Sequence, residues 1–151
     1  MNPMPGTLSF RRSLLLPLAL STIGLTAIAA NAQGRVYSPI PLPDSREITD
    51  ILSDEDIPTG FGGFARDYTV YLEAGDQVAI DVKSDDFDTY VILLNQDGTV
   101  IGENDDGPDG TTNSLLFARI EVSGTYTVRV RAYAGRGTGE FYLKVARLRE
   151  I

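Results

Sequence analysis

From Arg46 onward the chain is built of short runs in which apolar and polar residues alternate, cut apart by glycine-bearing turns. Tyr68, Val70 and Leu72 alternate with Thr69, Tyr71 and Glu73, and Val78, Ile80 and Val82 with Ala79, Asp81 and Lys83. Tyr126, Val128 and Val130 alternate with Thr127, Arg129 and Arg131, and Phe141, Leu143 and Val145 with Tyr142, Lys144 and Ala146. A period of two sends successive side chains to opposite faces of a strand. Thr89 to Leu94 is apolar on both parities, which predicts a central strand covered on both sides. Leu116, Ala118, Ile120 and Val122 form one face of a further strand. The turns Ala74-Gly75-Asp76, Gln96-Asp97-Gly98, Ser123-Gly124 and Gly135-Arg136-Gly137 supply residues that tolerate positive φ. No segment keeps a helical period with caps. Strands with one apolar face must stack face to face, so residues 46–151 are expected to form an all-β, antiparallel β-sandwich.

The segment before it reads as an address. Arg11 and Arg12 precede an uncharged run, Leu14 to Ala30, that ends in Ala30-Asn31-Ala32. That order of charge, apolar run and small residues predicts a secretory signal peptide over residues 1–32. Arg11-Arg12-Ser13-Leu14-Leu15 also fits a loose twin-arginine signal, so both export routes stay open. Pro39, Pro41 and Pro43 make residues 33–45 an expected Pro-rich spacer. The expected location is secreted or periplasmic.

Composition removes whole classes of chemistry. The chain has no histidine and no cysteine. Ser-His-Asp and Cys-His catalysis, thiolate metal sites and disulfides are therefore excluded. A net charge of −8 argues against a nucleic-acid partner. Paired carboxylates, Asp86 with Asp88 or Asp105 with Asp106, leave a small hydrolase as a remote alternative. Such a pair needs a concave pocket and a raised pKa, for which the tips of a small sandwich have little room. The expectation is a protein that is not an enzyme.

The charges are unevenly placed. Gln33–Asp109 holds 18 acidic and 4 basic residues, whereas Gly110–Ile151 holds 3 and 7. Two readings follow. In the first, the acidic turns Asp85-Asp86-Phe87-Asp88 and Glu103-Asn104-Asp105-Asp106 offer oxygen ligands to calcium. The bland alternative is that Asp and Asn there simply form turns. In the second, Arg129, Arg131, Tyr142 and Lys144 point outward on the last two strands, taken as a hairpin, and form a basic, aromatic partner-binding face. The bland alternative is that these cations pair with the acidic first half of the domain.

An ordered series of motifs carries a resemblance. Asp86-Phe87-Asp88-Thr89-Tyr90-Val91, Asp97-Gly98, Glu103-Asn104-Asp105-Asp106, Asn113-Ser114, Ser123-Gly124-Thr125-Tyr126 and Gly139-Glu140-Phe141-Tyr142-Leu143 follow one another between Ile48 and Val145. The series resembles the bacterial pre-peptidase C-terminal domain, which is similar to the collagen-binding domain of clostridial collagenases. The resemblance implies a jelly-roll sandwich of about eight strands, a non-catalytic module of secreted hydrolases, and calcium held near the acidic loops. It places Asp86 and Asp88 at the acidic positions before the central strand, and Asn104, Asp105 and Asp106 at the following turn. No peptidase sequence accompanies the module here, so the role of a peptidase tail is not carried over, nor is collagen as ligand. The resulting expectation is a secreted module that attaches to an extracellular polymer or protein, with calcium as a stabilising ion. The alternative is a structural or secretion-accessory protein without a specific ligand.

Overall fold

A computed structural model describes residues 37–148. The expected signal peptide, and residues 33–36 of the expected spacer, lie outside the described residues.

Among the described residues ten strands run in chain order: β1 Ile40–Pro41, β2 Glu47–Leu52, β3 Ile57–Pro58, β4 Phe64–Leu72, β5 Gln77–Lys83, β6 Thr89–Leu94, β7 Val100–Asn104, β8 Ser114–Arg119, β9 Gly124–Ala132 and β10 Gly139–Leu148. They form two sheets. Sheet A has the order β1-β4-β9-β6-β7, with β3 also paired to β4, and sheet B the order β2-β10-β5-β8. The expected β-sandwich is present, and its eight longer strands match the expected number once the two-residue β1 and β3 are set apart. Pairing is antiparallel except for β1, which runs parallel to β4 with Ile40 opposite Tyr68. The proline-bearing stretch is thus held on the sheet edge at that point, where Leu42 N–H also donates to the Thr69 carbonyl at 2.9 Å. Proline suits such an edge because it has no N–H to pair.

Alternation became burial as the period of two requires. Tyr68, Leu72, Ile80, Val82, Leu93, Val128, Phe141 and Leu143 are buried between the sheets. β6 lies between β9 and β7, and its Val91, Ile92 and Leu93 are all buried. The turns close as their residues predict. Asn95 Oδ1 accepts N–H groups from Asp97 (3.1 Å) and Thr99 (2.9 Å), which closes the β6–β7 hairpin at Gly98. Tyr126 donates its hydroxyl to the Val122 carbonyl at 2.7 Å and fixes the entry to β9.

One interior feature was not legible beforehand. Arg66 points inward from β4 and donates to Asp50 (2.9 Å) and Asp56 (2.6 Å), while the Tyr68 hydroxyl donates to Asp50 at 2.8 Å. This network ties sheet A to sheet B near the β2 edge. Burial pushes the Asp50 carboxyl up, but the Ile51 N–H, the Tyr68 hydroxyl and the Arg66 guanidinium outweigh it and hold the pKa below the usual 3.8. A depressed carboxylate stabilises the fold above its unfolded pKa, and that stability is lost as pH falls through the folded value. Urea midpoints are therefore expected to drop steeply below about pH 4, and Asp50→Asn to lower the neutral-pH midpoint and flatten that drop. An unchanged acid profile in the variant would contradict this role.

Candidate functional site

The four residues expected to share a binding face do not share one. Arg129 and Arg131 lie on β9 in sheet A, and Tyr142 and Lys144 on β10 in sheet B. All four point outward, as alternation predicts, but from opposite faces of the sandwich. The last two strands are not a hairpin: β9 pairs with β4 and β6, and β10 with β2 and β5.

Each face then sorts its charges. Asp67 is 2% exposed and accepts both the Nε and an NH2 of Arg129, each at 2.8 Å, and the Tyr37 hydroxyl at 2.6 Å. Arg129 is thereby committed to holding β4, β9 and the segment before β1 together. On sheet B, Tyr142 donates to Glu47 at 2.8 Å, and Lys144 lies 3.4 Å from the same carboxylate. Arg147 pairs with Asp76 at 2.9 Å and Glu73 at 3.5 Å. In these pairs a cation from the second half of the chain meets an acid from the first half, which accounts for much of the uneven charge.

Arg131 is different. None of the ion pairs formed among the described residues includes it. Its guanidinium sits 4.2 Å from the centre of the Tyr90 ring, which faces it across the β6–β9 pair. The Tyr133 ring stacks on Tyr90 with centroids 6.4 Å apart. The electron-rich ring face and the cation attract each other, and the stack holds both in place. Burial, followed by the hydrogen bond to Glu103, pushes the Tyr90 hydroxyl pKa up, so the hydroxyl stays protonated.

Phe61, which sequence reasoning passed over, completes the cluster. It is 92% exposed, while Tyr133 is 47% exposed. Together with Gly62, Tyr90, Arg131, Ala134 and Gly135 they line an open cleft of about 580 Å³. Glycine makes this cleft possible. Gly63 and Gly135 approach so closely that a Cβ on Gly63 would lie 2.6 Å from the Gly135 Cα, and both have positive φ. The loop is tightened further by Thr59, whose Oγ1 donates to the Gly62 carbonyl at 2.6 Å and whose N–H donates to that of Gly63 at 3.1 Å. The sequence signal was the Gly60-Phe61-Gly62-Gly63 run: an aromatic among glycines is an apolar ring with no strand to bury it.

A larger hollow of about 750 Å³ lies at the other end of β6 and β9. Its lining mixes Asp97, Glu121 and Arg119 with Val100 and Val122 and includes no exposed aromatic ring. The smaller cleft gathers exposed aromatic rings around one cation and is the better candidate.

Two of the expected calcium ligands, Asp86 and Asn104, also brace their loops. Asp86 Oδ2 accepts the Glu140 N–H at 2.8 Å and ties the β5–β6 loop to β10. Asn104 spends its amide on the carbonyls of Asp106 (2.6 Å) and Leu115 (2.8 Å), and its oxygen on the N–H groups of Asp105 and Asp106. Asp88, Asp105 and Asp106 do come near one another. The Asp88 pKa is raised, first by burial and then by repulsion from Asp105 and Asp106. Among the described residues no three His, Cys, Asp or Glu side chains are gathered to hold a metal ion.

Comparison with known proteins agrees with this architecture. Residues 65–132 match the sequence model of the bacterial pre-peptidase C-terminal domain. The fold is similar to the pre-peptidase C-terminal domain of a Bacillus anthracis collagenase, at 13% identity and a TM-score of 0.56, covering 72% of this chain and 95% of that one. It is also similar to a periplasmic inhibitor of g-type lysozyme from Aeromonas hydrophila, at 16% identity and a TM-score of 0.54, covering 74% and 96%. No curated protein matches. No helix among the described residues is long and apolar enough to cross a membrane. The resemblance read from the motifs therefore holds: residues 65–132 match the pre-peptidase C-terminal domain, and the fold is similar to that of a solved member.

Proposed function

We propose that the chain is an exported, non-catalytic attachment module that holds an extracellular protein or polymer on the outer face of sheet A. The observation that carries this reading is the Arg131–Tyr90–Tyr133 stack, whose cation forms no ion pair among the described residues and stands beside exposed rings. Arg and Tyr in a partly concave, preorganised patch are the residue types that dominate binding hot spots. One support is general: the fold is similar to that of a pre-peptidase C-terminal domain from a collagenase. Export rests on the charged, apolar and small-residue order of residues 1–32.

The test is retention of the protein on insoluble peptidoglycan, on collagen and on immobilised secreted proteins. Tyr133→Ala combined with Arg131→Ala is expected to reduce retention on the true partner at least tenfold while the melting curve stays within a few degrees of the parent. Equal retention of parent and variant on every surface would favour the structural or secretion-accessory alternative.

Calcium stabilisation is a separate proposal, supported by the mutual repulsion of Asp88, Asp105 and Asp106 that a divalent cation would relieve. A ligand present at about 100 times its dissociation constant adds roughly 2.7 kcal/mol to the folded state. The melting midpoint should then rise by several degrees in calcium relative to chelator, and Asp105→Ala should abolish the rise. Equal midpoints would leave these acids as turn formers.

A further inference from the structure

We infer that the cleft beside Arg131 takes an extended peptide segment with an apolar side chain next to a carboxylate, and that Phe61 is its principal anchor. The inference rests on the proposal that this cleft is the binding surface, and it names the ligand chemistry. The lining offers Phe61, two tyrosines, one arginine, one alanine and glycine backbone, with no carboxylate and no carboxamide side chain. A polysaccharide presents many hydroxyls, which are bound by side chains that both accept and donate in pairs; this cleft has none apart from the tyrosine hydroxyls. An apolar side chain, by contrast, gains by covering the exposed rings of Phe61 and Tyr133 that line the cleft.

Charge narrows the class. Among the described residues Arg131 is the sole charged side chain lining the cleft and forms no ion pair, so a carboxylate beside the apolar group completes it. The domain as a whole is acidic, with a chain net charge of −8, which repels an extended polyanion and leaves room for one local contact. Phe61 is suited to the anchor role because its loop is already fixed. Thr59 closes the loop over Gly62 and Gly63, and Gly63 packs on the Gly135 backbone. A loop whose backbone is already fixed loses little entropy when its side chain is covered.

The experiment uses the full chain and fluorescence anisotropy. The probe is a short labelled peptide with a central leucine flanked by glutamates; the controls replace the glutamates by lysine, or the leucine by serine. The leucine–glutamate peptide is expected to bind saturably, to weaken with added salt, and to bind better than either control. Phe61→Ala is expected to weaken it at least tenfold. Because Phe61 is almost fully exposed, that variant should melt as the parent does. Arg131→Gln should remove the preference for glutamate over lysine while leaving residual binding through the leucine. Equal affinity for all three peptides, or no loss in Phe61→Ala, overturns the inference. So does absence of peptide binding together with Tyr133-dependent retention on peptidoglycan, although that result keeps the attachment function. Absence of both peptide binding and retention overturns both.

Discussion

Phe141→Ala is expected to destabilise the sandwich by about 4 kcal/mol, the largest effect of any single truncation considered. Phe141 is 1% exposed and stands on the inner face of β10. Its ring meets Tyr68 of β4 edge-on, with centroids 6.2 Å apart at 72°, and Phe87 of the β5–β6 loop at 6.3 Å and 74°. One ring thus joins sheet B to sheet A and to the loop that carries Asp86 and Asp88. Removing it loses the transfer free energy of a buried ring, two edge-to-face contacts, and the packing of a cavity that rigid strands cannot close. For a domain of this size the melting midpoint should fall by roughly 15 °C. Phe141→Leu should restore most of the loss, because volume matters more than aromaticity in a core. Urea unfolding of the three proteins measures it. A loss below about 1 kcal/mol in Phe141→Ala would mean that the two sheets are not packed through this ring.

The second large effect separates two arginines that are two residues apart on one strand. Arg129→Ala is expected to destabilise by about 3 kcal/mol, because it leaves the buried Asp67 carboxylate without its cation. Arg131→Ala should change stability by less than about 0.5 kcal/mol, since its partner is a ring at the surface. Asp67→Ala in the Arg129→Ala background should recover part of the loss, because no unpaired charge then remains inside. Similar losses in Arg129→Ala and Arg131→Ala would contradict the division of labour along β9. The contrast matters for function: Arg129 is committed to structure, and Arg131 remains available to a partner.

The sequence carried the inside and outside of each strand, but not which strands share a sheet. The alternation through Tyr126–Arg131 and Phe141–Lys144 correctly turned Arg129, Arg131, Tyr142 and Lys144 to the surface. It could not show that the chain crosses from sheet A to sheet B between Ala132 and Gly139. Sheet membership depends on long-range pairing, such as Phe141 opposite Asp50, which no local period encodes. For the same reason Arg66, inward on β4, ran against the pattern: its place depends on Asp50 and Asp56, which arrive from other elements. The segment Glu47–Leu52 has no clean alternation, and it became a strand because the edge of β10 was open to it. The motif series carried the resemblance that the matched residues 65–132 bear out. The Phe61 cleft escaped because a lone aromatic between glycines has no period to read; its meaning depends on Gly135, more than seventy residues away in the chain.

The most direct test of the attachment reading compares the two outer faces. Retention on the bound surface is measured for Arg131→Ala with Tyr133→Ala on sheet A, and for Tyr142→Ala with Lys144→Ala on sheet B. The predicted result is loss of at least tenfold in the first pair and parental retention in the second, with both pairs folded. Loss confined to the sheet B pair would contradict the account and move the binding surface to the opposite face of the sandwich.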